Sequence, residues 1–289
     1  MKISRSIDDP PDEGGEAGGR FRGLVGTQTL ARGLDILNAV AEGFTGVAEI
    51  AEALQLSRST VHRLAATLVE HRYLNFAPRM GYSLGPRLLE LGFLAGRQMS
   101  LPRLARDHLE NLAMSTGDTV HLAVMDGSKA LYLDKIPGRR RVEISSRVGE
   151  RQPLRSTGIG KALILDYPES RWREIYEFED REGYRYNIDY SLWLKRMRDY
   201  AANGYAFDIE ENEDRIRCVA APIRDAGGAI AGAISVSSAA QYMDEARMHR
   251  LTSEVKDAAT AVSRDLGWRA SPQARPADKP QLKRARKRA

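Results

Sequence analysis

The stretch Gly46-Val47-Ala48-Glu49-Ile50-Ala51-Glu52-Ala53-Leu54-Gln55-Leu56-Ser57-Arg58-Ser59-Thr60-Val61-His62-Arg63-Leu64, with its continuation to Gly85, decides the fold. Val47, Ile50, Ala51 and Leu54 fall on one helical face, and Gln55-Leu56-Ser57 interrupts the period with a residue suited to cap a new helix. Arg58 to Glu70 then repeats apolar residues at Val61, Leu64, Ala65 and Leu68, the spacing of a second amphipathic helix. Its first turns expose Arg58, Ser59, Thr60, His62 and Arg63, side chains that donate to phosphates and base edges. Tyr73-Leu74-Asn75-Phe76, a Pro78-Arg79-Met80-Gly81 turn and Tyr82-Ser83-Leu84 follow as a hairpin. Helix, short turn, polar-fronted helix and hairpin in that order predict a winged helix-turn-helix, with Arg79 in the wing placed to meet a neighbouring phosphate or the minor groove.

Outward from this core, Gln28 to Ala41 reads as a first helix with Leu30, Leu34, Leu37 and Val40 turned inward. Gly85-Pro86 restarts a helix striped by Leu88, Leu91, Ala95 and Met99, a linker over 88–101 that Pro102 ends. Arg103 to Thr116 is a further helix carrying Leu104, His108, Leu112 and Met114. The period then shortens: 119–125 and 130–136 flank Asp126-Gly127 as a hairpin, and 141–147 reads as a third strand. Helices are expected over 160–166 and 192–203, a second hairpin over 217–223 and 229–236, and a closing helix over 251–266. Strand pairs separated by helices imply an α+β domain on a mostly antiparallel sheet over 102–268.

Composition bounds the rest. The net charge of +5 is misleading, because residues 269–289 carry +7 and residues 1–20 carry −2, leaving the body neutral. Residues 1–25 read as a disordered arm and 269–289 as a disordered basic tail, the latter suited to salt-sensitive, non-specific contact with DNA or to no role at all. No apolar run approaches the roughly eighteen residues of a membrane span, and the acidic, Gly-rich start offers no signal peptide. The single Cys218 suits a reducing, cytoplasmic setting.

Chemistry is concentrated in 147–162, where Gly158 and Gly160 beside a helix start would let backbone amides approach an anion; a plain tight turn reads equally well. A nucleotide P-loop is excluded, since Arg155 and Ala162 stand where it needs glycine and a hydroxyl residue. Cys218 reads first as a buried, inert thiol, and as a nucleophile only with a base such as His121 beside it. His62, His71, His108, His121 and His249 make no metal-ligand spacing, so neither metal nor cofactor is expected.

Seven stretches in order, from residue 27 to 268, resemble the IclR family of bacterial transcriptional regulators. They are 30–37, 57–64, 82–92, 117–124, Gly158-Ile159-Gly160-Lys161-Ala162, 204–208 and Arg217-Cys218-Val219-Ala220-Ala221-Pro222. The resemblance implies a winged-helix domain over 27–87 that dimerises, often pairing again into a tetramer, and a GAF-like effector domain. It implies a small organic acid held at Gly158, Ile159, Asp208 and Cys218, and a pseudo-palindromic double-stranded operator. One departure is visible: relatives usually carry glycine shortly before the Arg-Cys pair, where this chain has Arg215. The expected function is a ligand-responsive regulator, more a repressor than an activator, of a catabolic operon. The competing readings are a small-acid-converting enzyme with a DNA-binding appendage, and an architectural DNA-binding protein without a ligand.

Overall fold

The computed structural model describes residues 27–183 and 188–269. Both tails read above as disordered lie outside the described residues, apart from Arg269. The chain forms two compact units that divide between Gln98 and Met99.

In the first unit, α1 (Gln28–Ala41), α2 (Val47–Leu54) and α3 (Arg58–Glu70) pack around Ile36, Val40, Ile50, Val61, Leu64 and Leu74. Each boundary has a local cause. The Glu49 carboxylate accepts the Gly46 amide at 3.0 Å, Gln55 ends α2 in the left-handed conformation (φ 54°), and Ser57 Oγ accepts the Thr60 amide at 3.2 Å. The wing is β1 (Leu74–Ala77) against β2 (Gly81–Leu84). It docks where the Tyr82 amide donates to Thr45 O at 2.9 Å. Position 81 must be glycine: its φ is +80°, and a Cβ would stand 2.3 Å from that same Thr45 oxygen. The last element is α4 (Pro86–Gln98), which ends three residues short of the expected linker.

One expected stripe is corrected. Leu30 and Leu34 do not face the core; they are 66% and 52% exposed, and the buried face of α1 runs through Ile36, Ala39 and Val40. Along α4, Leu88 and Leu91 are half-buried and Ala95 faces solvent, while Met99 lies beyond the helix end.

The second unit is a six-stranded antiparallel sheet in the order β5-β4-β3-β8-β7-β6, with α5 (Leu101–Thr116) and α9 (Glu245–Asp265) packed against it. The strands are β3 (Thr119–Asp126), β4 (Lys129–Ile136), β5 (Arg151–Gln152), β6 (Ala206–Ile209), β7 (Ile216–Arg224) and β8 (Ile230–Ala239). Irregularities at Leu122/Ala123 and Ile223/Arg224 bend the sheet. Helices α6 (Gly158–Leu163), α7 (Glu169–Arg181) and α8 (Tyr190–Asn203) fill the connection between β5 and β6.

Here too the sequence reading needs correction. Residues 141–147 are irregular rather than a strand, because the partner that pairs with β4 is the two-residue β5. Helix α6 starts at Gly158, two residues early, since Thr157 Oγ1 accepts the Gly160 amide at 3.0 Å and caps it there. Asp244 caps α9 in the same way, six residues ahead of the expected start. Helix α5 buries Leu112 together with Ala105, Leu109 and Ala113, while Met114 is 62% exposed.

Because only glycine fits under Thr45, Gly81→Ala should destabilise the first unit by about 1–3 kcal/mol. Native-state hydrogen exchange should show lost protection across β1 and β2, with the sheet of the second unit unchanged.

Candidate functional site

Two sites emerge, one in each unit. On α3, Arg58, Ser59, His62 and Arg63 are exposed, and Thr60 is half-buried. The guanidinium groups of Arg58 and Arg63 and the His62 ring make no ion pair or side-chain hydrogen bond with any described residue, so their donors face solvent. Ser59 and Thr60 differ: their hydroxyls lie 3.0 and 2.8 Å from Ser57 Oγ, which ties them to the helix cap. Arg79 occupies the exposed wing turn at φ 73°. The arrangement gives a helix front rich in uncommitted cationic and hydrogen-bonding groups beside a cationic wing tip.

In the second unit the decisive feature is a row of polar side chains across four strands. Register pairs Asp208 on β6 with Cys218 on β7, Cys218 with Ser237 on β8, and Ser237 with Thr119 on β3. Directly paired residues share a face, so all four project on the same side. The adjacent row on that face carries Ser235, His121 and Lys135.

Helix α6 enters over this row. A Cβ on Gly158 would stand 2.9 Å from Cys218 Sγ and 3.3 Å from the Asp208 amide, so the helix start meets β6 and β7 only because the residue is glycine. The result is a cavity of about 180 Å³ that gathers Gly158, Ile159, Asp208 and Cys218, the four residues named from the sequence, with His121, Tyr132 and Ser237. The last two went unnamed, although Ser235-Val236-Ser237 is a polar alternation inside an apolar strand, which marks a wetted face.

Asp208 also has a structural duty. Its Oδ1 accepts the amides of Glu211 and Asn212 at 2.8 and 3.4 Å, closing the turn after β6. Burial pushes its carboxyl well above the usual range, against the opposing pull of Lys161 and the Asn212 amide. Lys161, also buried, is pushed down by desolvation; its Nζ donates to Phe207 O at 2.7 Å and pairs with Glu211, which in turn accepts from Arg196 at 2.5 Å.

The Cys218 thiol is pushed up to about 11 by burial and by Asp208, so it stays protonated at neutral pH and is no ready nucleophile. Burial and the nearby Lys135 depress His121 to about 3, leaving a neutral ring. That ring stacks on Tyr132 at 4.7 Å, with Nε2 2.6 Å from Ser146 Oγ. Among the described residues no Lys or Arg lines the cavity, and Glu150 and Glu213 stand at its exposed rim. Any ligand here meets hydroxyls, a neutral imidazole and carboxyl groups.

Arg215, the departure noted above, adopts φ +62°. It therefore holds the left-handed conformation that glycine takes without cost, and its amide donates to Glu210 Oε2 at 3.2 Å. Among the described residues no His/Cys/Asp/Glu group could hold a metal, and no helix is long and apolar enough to cross a membrane.

Sequence comparison places these features among known proteins. The model of the IclR helix-turn-helix domain matches residues 29–78, and that of the bacterial transcriptional regulator IclR C-terminal domain matches residues 94–264. The HTH-type transcriptional regulator XynR of Escherichia coli is 32% identical over 251 residues, covering 83% of this chain and 98% of its own. The DNA-binding transcriptional repressor YiaJ of the same organism is 28% identical over 253 residues, covering 84% and 89%. The crystal structure of the Thermotoga maritima IclR superposes with a TM-score of 0.54 at 28% identity, covering 84% of this chain and all of that one.

A neutral buried His121 fixes the sign of a pH effect. Its folded value lies below the unfolded one of about 6.5, so the unfolded state takes up a proton first and stability falls as pH drops from about 6.5 towards 3. Removing one such group removes about 1.4 kcal/mol per pH unit of slope in that window. His121→Asn should accordingly show a shallower loss of urea stability between pH 6 and 4 than the unaltered protein.

Proposed function

The chain belongs to the IclR family and is a DNA-binding transcriptional regulator, and on that premise we propose that it is a cytoplasmic, ligand-responsive repressor of a catabolic operon. The observation that carries this reading is the uncommitted Arg58, His62 and Arg63 front of α3, joined in one chain to a sheet domain with a small polar cavity. In this reading α3 enters the major groove, Arg58 and Arg63 reach base edges or phosphates, and Arg79 meets the neighbouring backbone. Ser59 and Thr60 contribute through the helix cap they share with Ser57.

The repressor sense rests on the likeness to YiaJ, a DNA-binding transcriptional repressor. The effector is a small organic acid, and the reading rests on the gathering of Gly158, Ile159, Asp208 and Cys218 in one cavity. A volume of about 180 Å³ suits a molecule of few heavy atoms. With no Lys or Arg on the wall, its carboxylate is received by neutral donors and by a carboxyl group that burial makes readier to hold a proton. The ligand is bound and released unchanged, which agrees with a thiol held protonated.

Assembly is a dimer through the winged-helix units, with a tetramer as its further pairing. Leu30 and Leu34 on α1 and Leu89 on α4 are more than half exposed, an apolar area that pairing would cover. A two-fold pair of recognition helices reads a pseudo-palindromic operator.

Arg58→Ala and Arg63→Ala should each weaken operator binding by about 1–3 kcal/mol in fluorescence anisotropy, with the fold intact by circular dichroism. Wild-type affinity in both variants would remove α3 as the reading helix. For the cavity, a thermal-shift screen over aromatic, dicarboxylic and sugar acids identifies the ligand, since an acid at 100 times Kd adds about 2.7 kcal/mol. Asp208→Asn, which keeps an acceptor for the turn amides, and Ser237→Ala should bind operator normally yet respond to that acid only at raised concentrations. A wild-type response in both would place the effector elsewhere.

A further inference from the structure

A second cavity, of about 220 Å³, lies at the other end of the polar row. Thr119 and Ser237 of that row line it, and Ser237 and Ile144 also line the first cavity, so the two share a wall. Their charge is opposite. Where the first has carboxyl groups and no cation, the second is lined by Lys135, Arg140 and Arg141, with Glu143 its one carboxylate.

The cations are not equally committed. Arg140 pairs with the buried Asp118 at 3.1 Å and also donates to Thr116 O. Arg141 makes no ion pair or hydrogen bond with a described residue. Among the described residues, Lys135 Nζ donates only to main-chain carbonyls, Ile144 O at 2.6 Å and Ser146 O at 2.8 Å, and no carboxylate lies in ion-pair range of it. Two positive charges thus line a concave site with only Glu143 to offset them, in a body whose net charge is zero. Concave cationic walls concentrate small anions.

We propose that this cavity is a second ligand site, taking a small oxyanion against Arg141 and Lys135 with the Ser237 and Thr119 hydroxyls beside it. The site is coupled to the first. Lys135 holds the carbonyls of Ile144 and Ser146, and Ser146 Oγ holds His121 in the first cavity. An anion that draws the ammonium towards itself loosens the wall between the two sites, and the linkage runs both ways.

The test is isothermal titration of the full chain at low salt with inorganic phosphate and with malonate. Saturable binding of one anion per chain is expected. Arg141→Ala should weaken it at least tenfold with an unchanged thermal midpoint, because that side chain supports no other group. Asp208→Asn and Arg63→Ala should both bind within twofold of wild type. Tighter phosphate marks a phosphoryl ligand, and tighter malonate a carboxylate one. Absence of saturable binding overturns the proposal, as does wild-type affinity in Arg141→Ala. A loss in Asp208→Asn would move the anion to the first cavity, and a loss in Arg63→Ala would move it to the recognition helix; either also overturns it. None of these outcomes bears on operator binding, so the regulator reading stands or falls separately.

Discussion

Gly158 has no side chain, and three elements meet in the space one would take. The start of α6 presses on Cys218 of β7 and the backbone of Asp208 on β6, at distances that a Cβ would reduce to 2.9 and 3.3 Å. That approach makes the cavity a cavity: it brings a helix start over a polar row in an otherwise apolar sheet. Asp208, Cys218, Ser237 and Thr119 can be polar there because the helix stands over them without filling the space. The buried ionic network of Lys161, Glu211 and Arg196 fixes α6 and α8 to the turn after β6. Such a network is costly to leave half made, so it holds the site's frame more than it stabilises the fold.

The DNA-facing unit obeys a parallel constraint on a smaller scale. Gly81 lets the wing close on Thr45 at the entrance to α2, which ties the hairpin to that helix. In the proposed reading α3 must present its donors rigidly, and Arg58 and Arg63 stand on a helix seated on a core of ten buried residues. Their own side chains contribute nothing to that core, which frees them for contacts outside the chain.

What was legible in the sequence followed from strong periodicity and local caps. Helices α2 and α3 and the wing carry both, and they stand where the residues place them. Helix α1 is subtler: it has two apolar stripes, and Leu30 and Leu34 belong to the exposed one, which a single-chain reading assigns to the core by default. Helix α7 was not expected because its only buried side chains are Trp172, Ile175 and Glu179, set among Arg and Glu. Residues 141–147 look strand-like in composition but hang on Lys135 and His121 side chains rather than on a ladder. The site residues Gly158, Ile159, Asp208 and Cys218 came from resemblance, and their convergence is a matter of register. No local pattern reveals that Asp208 stands opposite Cys218, or Cys218 opposite Ser237.

The central claim is that this chain reads a symmetric DNA site through paired recognition helices. Hydroxyl-radical footprinting of the full-length protein on the DNA upstream of its own gene tests it most directly. The account predicts two symmetric protected stretches whose centres lie about one helical turn, 10–10.5 base pairs, or a multiple of it apart. Continuous protection that follows no sequence and fades uniformly with salt would contradict it, and would leave charge alone as the basis of binding.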